Sequence, residues 1–335
     1  MQINTTLGKL ASGRHLSFRE AGQCFQGLFK GVLPLAQSGA LLMGLKCKGE
    51  TAEELRAAVR AALEQAGLVR PIEGKTIDTC GTGGDGRRSF NCSTAVALYL
   101  AEMGYKVVKH GNRAVSGQCG SADVMESLRV PFARDGAQVL EGLERSNLAF
   151  LFAPNFHPAF AGLAPIRKEL GFPTLFNLMG PLLNPARPSH QLLGVGRREH
   201  LELIAETLAG SGIQKAAVVH GAGGFDELTP CGPSEVIFVR QSTLRRTLID
   251  PKRHGIQDCD PGLLCFPDKD QALEVMRRVL QGQGPEPVLD MIGLNLGLAL
   301  FLLEGEQDIA WCMRTALDRV RQGLDLGRYE ERRYA

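Results

Sequence analysis

The first seventy residues alternate apolar and polar positions with the period of α-helices. Ser17 and Glu20 have the spacing of a capping box, and apolar residues 25, 28 and 29 follow on one helical face. A second helical segment covers about 35–46. A second capping box, Thr51 with Glu54, predicts a third helix that ends near residue 66. No strand pattern precedes residue 74, so we predict a small N-terminal helical domain over residues 1–70.

Beyond residue 71, short apolar runs alternate with helix-length segments. The predicted strands cover residues 76–79, 106–108, 148–152, 174–176, 216–219 and 236–239, and the predicted helices cover 93–103, 137–145, 198–210 and 269–281. This alternation is typical of a mostly parallel sheet, so we predict a larger α/β domain over residues 71–335. Residues 240–267 are interpreted as loop-rich. The apolar run 288–303 is shorter than the ~20 residues of a bilayer span and is interpreted as a buried helix.

Composition excludes several classes of protein. Hydrophobic residues make up 44% of the 335 positions and charged residues 22%, as in ordinary globular proteins. The net charge of +2 gives no reason to expect nucleic acid or a membrane as partner. The nine cysteines contain no CxxC pair, which argues against a disulfide framework or structural zinc and favours a reducing compartment. Since residues 1–11 do not have the pattern of a signal peptide, we expect a cytoplasmic protein.

A glycine-rich run, GTGGDG over residues 81–86, follows a predicted strand and precedes a helix that opens near Asn91. Glycines let a backbone approach a ligand closely, and the amide groups of a helix N-terminus attract phosphate. The run matches a dinucleotide fingerprint by letter, but the acidic residue about 20 positions later is Glu102, inside a predicted helix. The run therefore favours a phosphate site over a dinucleotide site, and the alternative is a purely structural turn.

A basic cluster, KHGNR over residues 109–113, follows the next predicted strand. Because consecutive strand ends of a parallel sheet meet at one edge, we expect this cluster to lie opposite the glycine run. Its cations suit a pyrophosphate group, although Arg113 has the alternative of locking the loop through an ion pair. Asp226 and Glu227, after the strand 216–219, are hard-oxygen donors suited to magnesium. Solvated carboxylates at a turn are the alternative interpretation of that pair.

In order along the chain, these motifs resemble the anthranilate phosphoribosyltransferases of tryptophan biosynthesis, over roughly residues 5–330. The resemblance also includes KGET at 48–51, FAP at 152–154 leading to HPA at 157–159, FNLMGPLLNP at 176–185 and DEL at 226–228. It implies a nucleoside phosphorylase-like fold in which helices from about 160–190 join the helical domain. It also implies a homodimer formed through the helical parts, and two magnesium ions. The reaction it implies moves the phosphoribosyl group of phosphoribosyl pyrophosphate (PRPP) to anthranilate.

The resemblance also implies a role for individual residues. PRPP-binding residues are Gly81, Gly84, Asp85, Ser89, Asn91, Cys92, Ser93, Thr94, Lys109, His110, Gly111, Asn112, Arg113, Ala114, Val115, Ser116, Gly117 and Ser121. Anthranilate-binding residues are Gly81, Asn112 and Arg167, with His110, His157 and Pro181 lining the pocket. Magnesium ligands are Ser93, Asp226 and Glu227. Arg167 has the chemistry to pair with a carboxylate, and a helix ion pair is its alternative role. His110 and His157 have the alternative of being buried core residues.

The chain departs from the family pattern at a few positions. Ser89 stands where Thr is usual, Gly117 where a second Ser is common, and Arg129 where Gly is more usual; Cys119 is a further departure in the 113–121 loop. No residue is assigned as a catalytic base. Two other functions stay open on the sequence, a pyrimidine-nucleoside phosphorylase-like enzyme and a non-catalytic relative that binds nucleic acid. The intact acidic pair and the net charge of +2 argue against the second.

Overall fold

The computed structural model describes residues 3–83, 86–113, 119–305 and 307–325. The helices are α1 Ile3–Ala11, α2 Phe18–Phe29, α3 Leu35–Lys48, α4 Ala52–Leu63, α5 Cys92–Glu102, α6 Ser121–Ser127, α7 Gly136–Ser146, α8 Ala153–Phe156, α9 Ala164–Leu170, α10 Phe176–Met179, α11 Leu201–Ala209, α12 Lys269–Leu280, α13 Glu286–Glu304 and α14 Ile309–Gln322. The strands are β1 Thr76–Gly81, β2 Lys106–Gly111, β3 Phe132–Ala133, β4 Leu148–Phe152, β5 His190–Gly194, β6 Lys215–His220, β7 Ser234–Arg240 and β8 Thr243–Ile249.

Both predicted capping boxes are present. The Ser17 hydroxyl accepts a hydrogen bond from the Glu20 amide, and the Glu20 carboxylate accepts one from the Ser17 amide. Thr51 and Glu54 repeat this exchange at the start of α4. The Glu54 carboxylate is buried and also accepts from the Lys48 ammonium at 2.6 Å. Local hydrogen bonds therefore fix the starts of α2 and α4, and the predicted helical character of the N-terminal part is confirmed.

The described strands form one sheet in the order β3-β4-β2-β1-β5-β6-β7-β8. All neighbours from β3 to β6 run parallel, whereas β7 and β8 are antiparallel to the strands beside them. The prediction of a mostly parallel α/β sheet after an N-terminal helical domain is therefore confirmed. The carboxyl ends of the parallel strands meet at one edge of the sheet, where ligands bind in open α/β folds.

Two large apolar cores lie on opposite sides of the sheet. One contains α5, α12, α13 and α14, and the other joins α1–α4 to α11 and to residues 163–183. Phe29 of α2 contacts the rings of Phe160 and Phe176, with centroids 5.1 and 6.1 Å away. The helical part thus packs on residues 158–183 as well as on α11. The exact division at residue 70 stays a prediction.

Helix α13 is long and apolar enough to cross a membrane by length and composition, and most of it is buried inside the fold. The predicted buried helix is therefore confirmed. Its last carbonyls accept hydrogen bonds from lysines, Leu303 O from Lys75 at 2.6 Å and Leu302 O from Lys215 at 3.4 Å. These ammonium groups offset the negative end of the helix dipole, as expected at a helix C-terminus.

The predicted strands differ from the observed ones at several places, and β3 is among those not predicted. Residues 174–176 were predicted as a strand, but the Asn177 side chain accepts from the Thr174 amide at 3.1 Å and the chain turns into α10. The interval 240–267 contains β8, which is mostly exposed and was therefore interpreted as loop. Gln241 has a φ of 54°, and the two-residue connection that it starts returns the chain antiparallel to β7. Strand β5 was not predicted, because its first two residues are His190 and Gln191.

Arg129 has a left-handed backbone, with a φ of 57°. It follows α6, and the next amide, that of Val130, donates back to Met125 O at 2.8 Å, as in glycine-terminated helices. The side chain is exposed, so no packing compensates for the conformation. This explains why a glycine suits the position better than the arginine found here.

We predict that Arg129→Gly raises the free energy of unfolding by about 0.5–1 kcal/mol. A residue with a side chain in the left-handed conformation costs about 1–2 kcal/mol, and the larger conformational entropy that glycine loses on folding offsets part of the gain from removing that cost. Denaturant titration measures the change. Arg278→Gly, on the exposed face of α12, is the matched control and should lose about 1 kcal/mol. A loss of stability in both variants would contradict the backbone argument.

Candidate active site

A cavity of about 850 Å³ lies at the carboxyl ends of the parallel strands, between the sheet and residues 153–183. The sequence-predicted site residues that line it are Gly81, Ser89, Asn91, Ser93, Lys109, His110, Gly111, Asn112, Arg113, Ser121, His157, Arg167, Pro181, Asp226 and Glu227. These residues come from eight separate segments of the chain. Their meeting at one edge agrees with the expectation drawn from strand order.

The acidic pair lies against glycines at the strand ends. A methyl group at Gly194, the end of β5, would stand 1.5 Å from the Asp226 carbonyl oxygen, and one at Gly81 would stand 2.1 Å from Asp226 Oδ2. At the end of β6, a methyl group on Gly221 would stand 1.8 Å from Glu227 O. The Gly83 amide donates to Asp226 Oδ2 at 3.2 Å. Glycine at these positions is therefore a steric requirement for holding the two carboxylates at the edge of the sheet.

Lys109, near the end of β2, is 1% exposed. Its ammonium donates to the Thr79 carbonyl in β1 and to the Ser93 hydroxyl in α5, the latter at 3.3 Å. Burial lowers the pKa of Lys109, and the nearby Asp78 carboxylate acts against that shift. Burial also raises the pKa of Asp78, to about 6. The result is a cation fixed among β1, β2 and α5 at the floor of the cavity.

The N-terminus of α5 lies at the same end of the cavity as Lys109. Asn91 occupies the N-cap position, but its side chain makes no capping hydrogen bond. Instead, Asn91 Nδ2 donates to Cys119 O at 3.2 Å and so ties the helix start to the segment before α6. The Cys92 amide donates to Phe90 O at 2.8 Å and the Thr94 amide to Asn91 O at 3.2 Å, whereas the Ser93 amide between them keeps its donor for an anion at the positive end of the helix. Together with Lys109, this arrangement favours a phosphate ligand.

Arg113 takes the ion-pair role that the sequence left as an alternative. Its guanidinium contacts both carboxylate oxygens of Glu126, at 2.8 and 2.9 Å, and Asp123 Oδ1 at 3.4 Å. Lys269 also donates to Asp123, at 2.6 Å. The Ser121 hydroxyl donates to Asn112 O at 3.3 Å. Arg113 therefore fastens the loop after β2 to α6.

The opposite end of the cavity is more apolar and contains two histidines. The rings of His110 and His157 pack edge to face, with centroids 5.1 Å apart. Burial lowers the pKa of both, that of His110 to about 3, so both are neutral at pH 7. His157 Nε2 donates to Leu183 O at 2.8 Å, which leaves Nδ1 as an acceptor. Within the described residues, neither His157 Nδ1 nor His110 Nε2 has a protein hydrogen-bond partner.

Arg167 also lies at this end. Its side chain is exposed on α9, and the guanidinium carbon is 5.8 Å from the centroid of the Phe176 ring. A guanidinium over an aromatic face keeps its donors available at the ring edge. The segment that carries Pro181 is held by Gln191, whose Nε2 donates to Pro181 O at 2.7 Å. The arrangement suits a planar ligand that carries a carboxylate.

Asn184 connects the two ends of the cavity. Its Nδ2 donates to Asp78 Oδ2 in β1 at 2.8 Å and to Val108 O in β2 at 2.7 Å, and its Oδ1 accepts from the Ala186 amide at 3.0 Å. Val108 immediately precedes Lys109. The segment that lines the apolar end is thus bonded to the two strands that form the phosphate end.

Several predicted residues lie elsewhere. Cys92 and Thr94 are fully buried behind the cavity, and the Cys92 thiol donates to Met291 O at 3.7 Å. Gly84, Asp85, Ala114, Val115, Ser116 and Gly117 lie outside the described residues. Lining residues to which the sequence assigned no individual role include Thr82, Arg87, Phe90, Phe160, Phe176 and Asn177. The FNLMGPLLNP motif was a signal for the last two of these, whereas nothing in the sequence distinguishes Arg87 from a solvated loop arginine.

The donor set at the phosphate end consists of hard oxygens. Ser93, Asp226 and Glu227 line a second, smaller cavity that adjoins the main one. The described part of the chain contains no group of three or more His, Cys, Asp or Glu side chains arranged to hold a metal. Magnesium, however, is commonly held by one or two carboxylates together with water and substrate phosphates. The residues present therefore fit a magnesium ion that shares its ligands with a phosphate substrate.

Comparison with known proteins identifies the family of the chain. The helical bundle domain of the glycosyl transferase family matches residues 4–66, and the a/b domain of that family matches residues 73–326. An anthranilate phosphoribosyltransferase of Nitratidesulfovibrio vulgaris is 55% identical over 311 residues, which are 91% of this chain and 92% of the relative. One of Oleidesulfovibrio alaskensis is 51% identical over 96% of this chain and 98% of its own length.

Solved structures also match the chain over nearly its whole length. The anthranilate phosphoribosyltransferase of Thermus thermophilus has a TM-score of 0.85 and 34% identity, covering 95% of this chain and 94% of its own. The Saccharomyces cerevisiae enzyme, solved with PRPP and Mg, has a TM-score of 0.86 over 98% and 96% of the two chains; at 24% identity it supports the fold alone. From the matched domains and the identity to these relatives, the chain belongs to the anthranilate phosphoribosyltransferase family.

Proposed function

We propose that the protein transfers the phosphoribosyl group of PRPP to anthranilate, giving N-(5-phosphoribosyl)anthranilate and pyrophosphate, a step of tryptophan biosynthesis. The observation that carries the proposal is that the two ends of one cavity differ in their chemical character. At one end, a buried lysine and a helix N-terminus lie beside two carboxylates. At the other end, Arg167 lies beside aromatic rings. One end thus suits pyrophosphate with a metal, and the other a planar aromatic acid.

PRPP occupies the end formed by β1, β2 and α5. In this proposal Lys109, the amides at the start of α5 and the hydroxyls of Ser89, Ser93 and Ser121 bind phosphate oxygens. Each of these side chains lines the cavity. The remaining PRPP assignments, including Gly84, Asp85 and residues 114–117, rest on the family resemblance. Because Arg113 is engaged by Glu126 and Asp123, it acts by shaping the loop.

Magnesium is held by Asp226 and Glu227, with Ser93 as a further oxygen donor. When bound, the ion neutralises negative charge on the pyrophosphate oxygens. The chain contributes the fixed position of the carboxylates, which the glycines at the ends of β1, β5 and β6 allow. We propose two ions, as the family resemblance implies.

The reaction breaks the bond between ribose C1 and the pyrophosphate oxygen, and both electrons leave with pyrophosphate. A new bond forms from the anthranilate nitrogen to C1, and the nitrogen then loses one proton. Lys109 and the α5 amides oppose the charge that grows on the leaving group. Because the amine nitrogen becomes strongly acidic once it has attacked C1, water or pyrophosphate can take the proton. The low pKa of His110, about 3, makes it a poor base and agrees with a reaction without a dedicated one.

Anthranilate occupies the apolar end, where Arg167 pairs with its carboxylate. The neutral histidines His110 and His157 line this end of the cavity and place no positive charge beside the amine. Asn112 and Pro181 complete the pocket between the two substrates. Holding two reactants in one geometry supplies a large part of the rate enhancement of a two-substrate reaction.

Assembly and location complete the proposal. The helical part exposes Val32, Leu35 and Met43, and apolar side chains of this size favour a homodimer through α2 and α3.

We also propose a cytoplasmic location and a helical domain of residues 1–70 with helices from 160–190, separate from the α/β remainder. No specific observation favours the phosphorylase or the nucleic-acid-binding alternative.

The protein mixed with PRPP, magnesium and anthranilate is expected to consume anthranilate, followed as loss of its fluorescence. Omission of PRPP or magnesium should abolish the loss, and aniline, which lacks the carboxylate, should react poorly. Constant fluorescence at saturating substrates would reject the proposed transfer.

Arg167→Ala is expected to raise the KM for anthranilate about 10-fold or more, because a charged hydrogen bond contributes roughly 1.5–3 kcal/mol. The KM for PRPP should change little. Lys168→Ala, the neighbouring exposed cation on α9, is the control and should leave both constants unchanged. Equal increases in the two constants would remove Arg167 from the carboxylate site.

The double variant Asp226→Asn with Glu227→Gln is expected to lose magnesium-dependent activity and to lose Mn²⁺ binding in the presence of pyrophosphate, measured by electron paramagnetic resonance. Both changes follow from the loss of hard anionic ligands. Asp270→Asn with Glu274→Gln makes the same charge change on exposed α12 and should retain both. Undiminished Mn²⁺ binding in the first variant would place the metal elsewhere.

A further inference from the structure

Arg87 belongs to the cavity although the family resemblance assigns it no role. It lies between the glycine run and α5, and its half-buried side chain lines the main cavity. Lys109, Asp226 and Glu227 line the same cavity. The next residue, Arg88, is exposed and does not belong to the described lining of that cavity. Arg88 instead lines a small separate cavity with Ser89 and Asn91.

Aromatic packing fixes the position of the Arg87 guanidinium. Its central carbon lies 4.9 Å from the centroid of the Phe225 ring, which is fully buried. Phe225 immediately precedes Asp226. A methyl group at Gly224, where φ is 80°, would stand 3.8 Å from Arg87 Nε and 3.9 Å from Nη2. The guanidinium therefore lies over the loop that carries the two carboxylates, with its long stem packed on an aromatic face.

The charges around the phosphate end need a further cation. Asp226 and Glu227 are negative, and pyrophosphate would add more negative charge beside them. Arg113 is engaged by Glu126 and Asp123, and Arg167 lies at the other end over Phe176. Lys109 donates to the Thr79 carbonyl and the Ser93 hydroxyl, and an arginine stays charged at every working pH. Arg87 supplies a permanent positive charge at the carboxylate end.

We propose that Arg87 binds the pyrophosphate group of PRPP and stabilises the charge on pyrophosphate as it leaves. This inference rests on the proposed function and adds a residue to it. A guanidinium presents paired N–H donors that match two phosphate oxygens. When the bond from C1 to oxygen breaks, the electron pair stays on pyrophosphate. Arg87 keeps its protons throughout and forms no covalent bond.

The test compares Arg87→Gln, Arg87→Lys and a control, Arg245→Gln on the exposed strand β8, at saturating magnesium, by initial rates with inorganic pyrophosphate as product inhibitor. Arg87→Gln is expected to raise both the KM for PRPP and the inhibition constant of pyrophosphate about tenfold, the effect of about 1.4 kcal/mol. The KM for anthranilate should not change. Arg87→Lys keeps the positive charge but lacks the paired N–H donors of a guanidinium. It should therefore raise the KM for PRPP and the inhibition constant of pyrophosphate by a smaller factor. Arg245→Gln should match the wild type.

A purely structural role of Arg87 predicts a different pattern. If the side chain only supported Phe225 and the carboxylate loop, Arg87→Met would keep the packing and behave as the wild type. The magnesium concentration for half-maximal activity would then change in Arg87→Gln. If Arg87 binds pyrophosphate, Met has the same effect as Gln, and the magnesium dependence changes little. A wild-type inhibition constant in Arg87→Gln or Arg87→Met would overturn the proposal.

Calorimetry separates this inference from the proposed function. Titration of the whole protein with inorganic pyrophosphate and magnesium measures binding without any transfer reaction. Weaker binding in Arg87→Gln, with unchanged binding in Arg245→Gln, supports the assignment even for a protein that does not consume anthranilate. Equal binding in the two variants, with unchanged thermal unfolding, overturns it.

Discussion

The close approach of Asp226 to the ends of β1 and β5, with its carboxylate against Gly81 and its backbone against Gly194, is the contact on which the rest of the site depends. No side chain larger than hydrogen fits at Gly194 or Gly81, because a methyl group there would overlap the carbonyl or carboxylate of Asp226. This contact sets the distance from the acidic pair to Lys109 and to the start of α5. The phosphate end of the cavity is therefore a product of strand order together with three glycines.

The two ends of the cavity are joined by buried polar contacts. Asn184 bonds the acceptor-side segment to β1 and β2, next to Lys109, and His157 and Gln191 bond the carbonyls of the same segment. Buried hydrogen bonds of this kind are costly to break, since each leaves an unsatisfied polar group. The separation between the two proposed substrates is thus fixed by the protein before either binds.

Local signals in the sequence predicted the features that depend on neighbouring residues. The capping boxes at Ser17 and Thr51 and the strand-to-helix alternation were read correctly, since each is set by contacts a few residues apart. Strand β5 was missed because its first residues, His190 and Gln191, are polar yet buried between β1 and β6. Without β5, the contact at Gly194 was not predictable. The position of Arg87 over Phe225 likewise depends on residues more than a hundred positions apart.

Diffraction from crystals grown with PRPP and Mn²⁺, used in place of Mg²⁺, tests the central claim most directly. The anomalous signal of manganese locates the ion without reference to the atomic model. The account predicts a peak within about 2.0–2.5 Å of an oxygen of Asp226 or Glu227, with pyrophosphate oxygens on its other side toward Lys109 and α5. PRPP bound with its pyrophosphate away from this edge, or a manganese peak distant from both carboxylates, would contradict it.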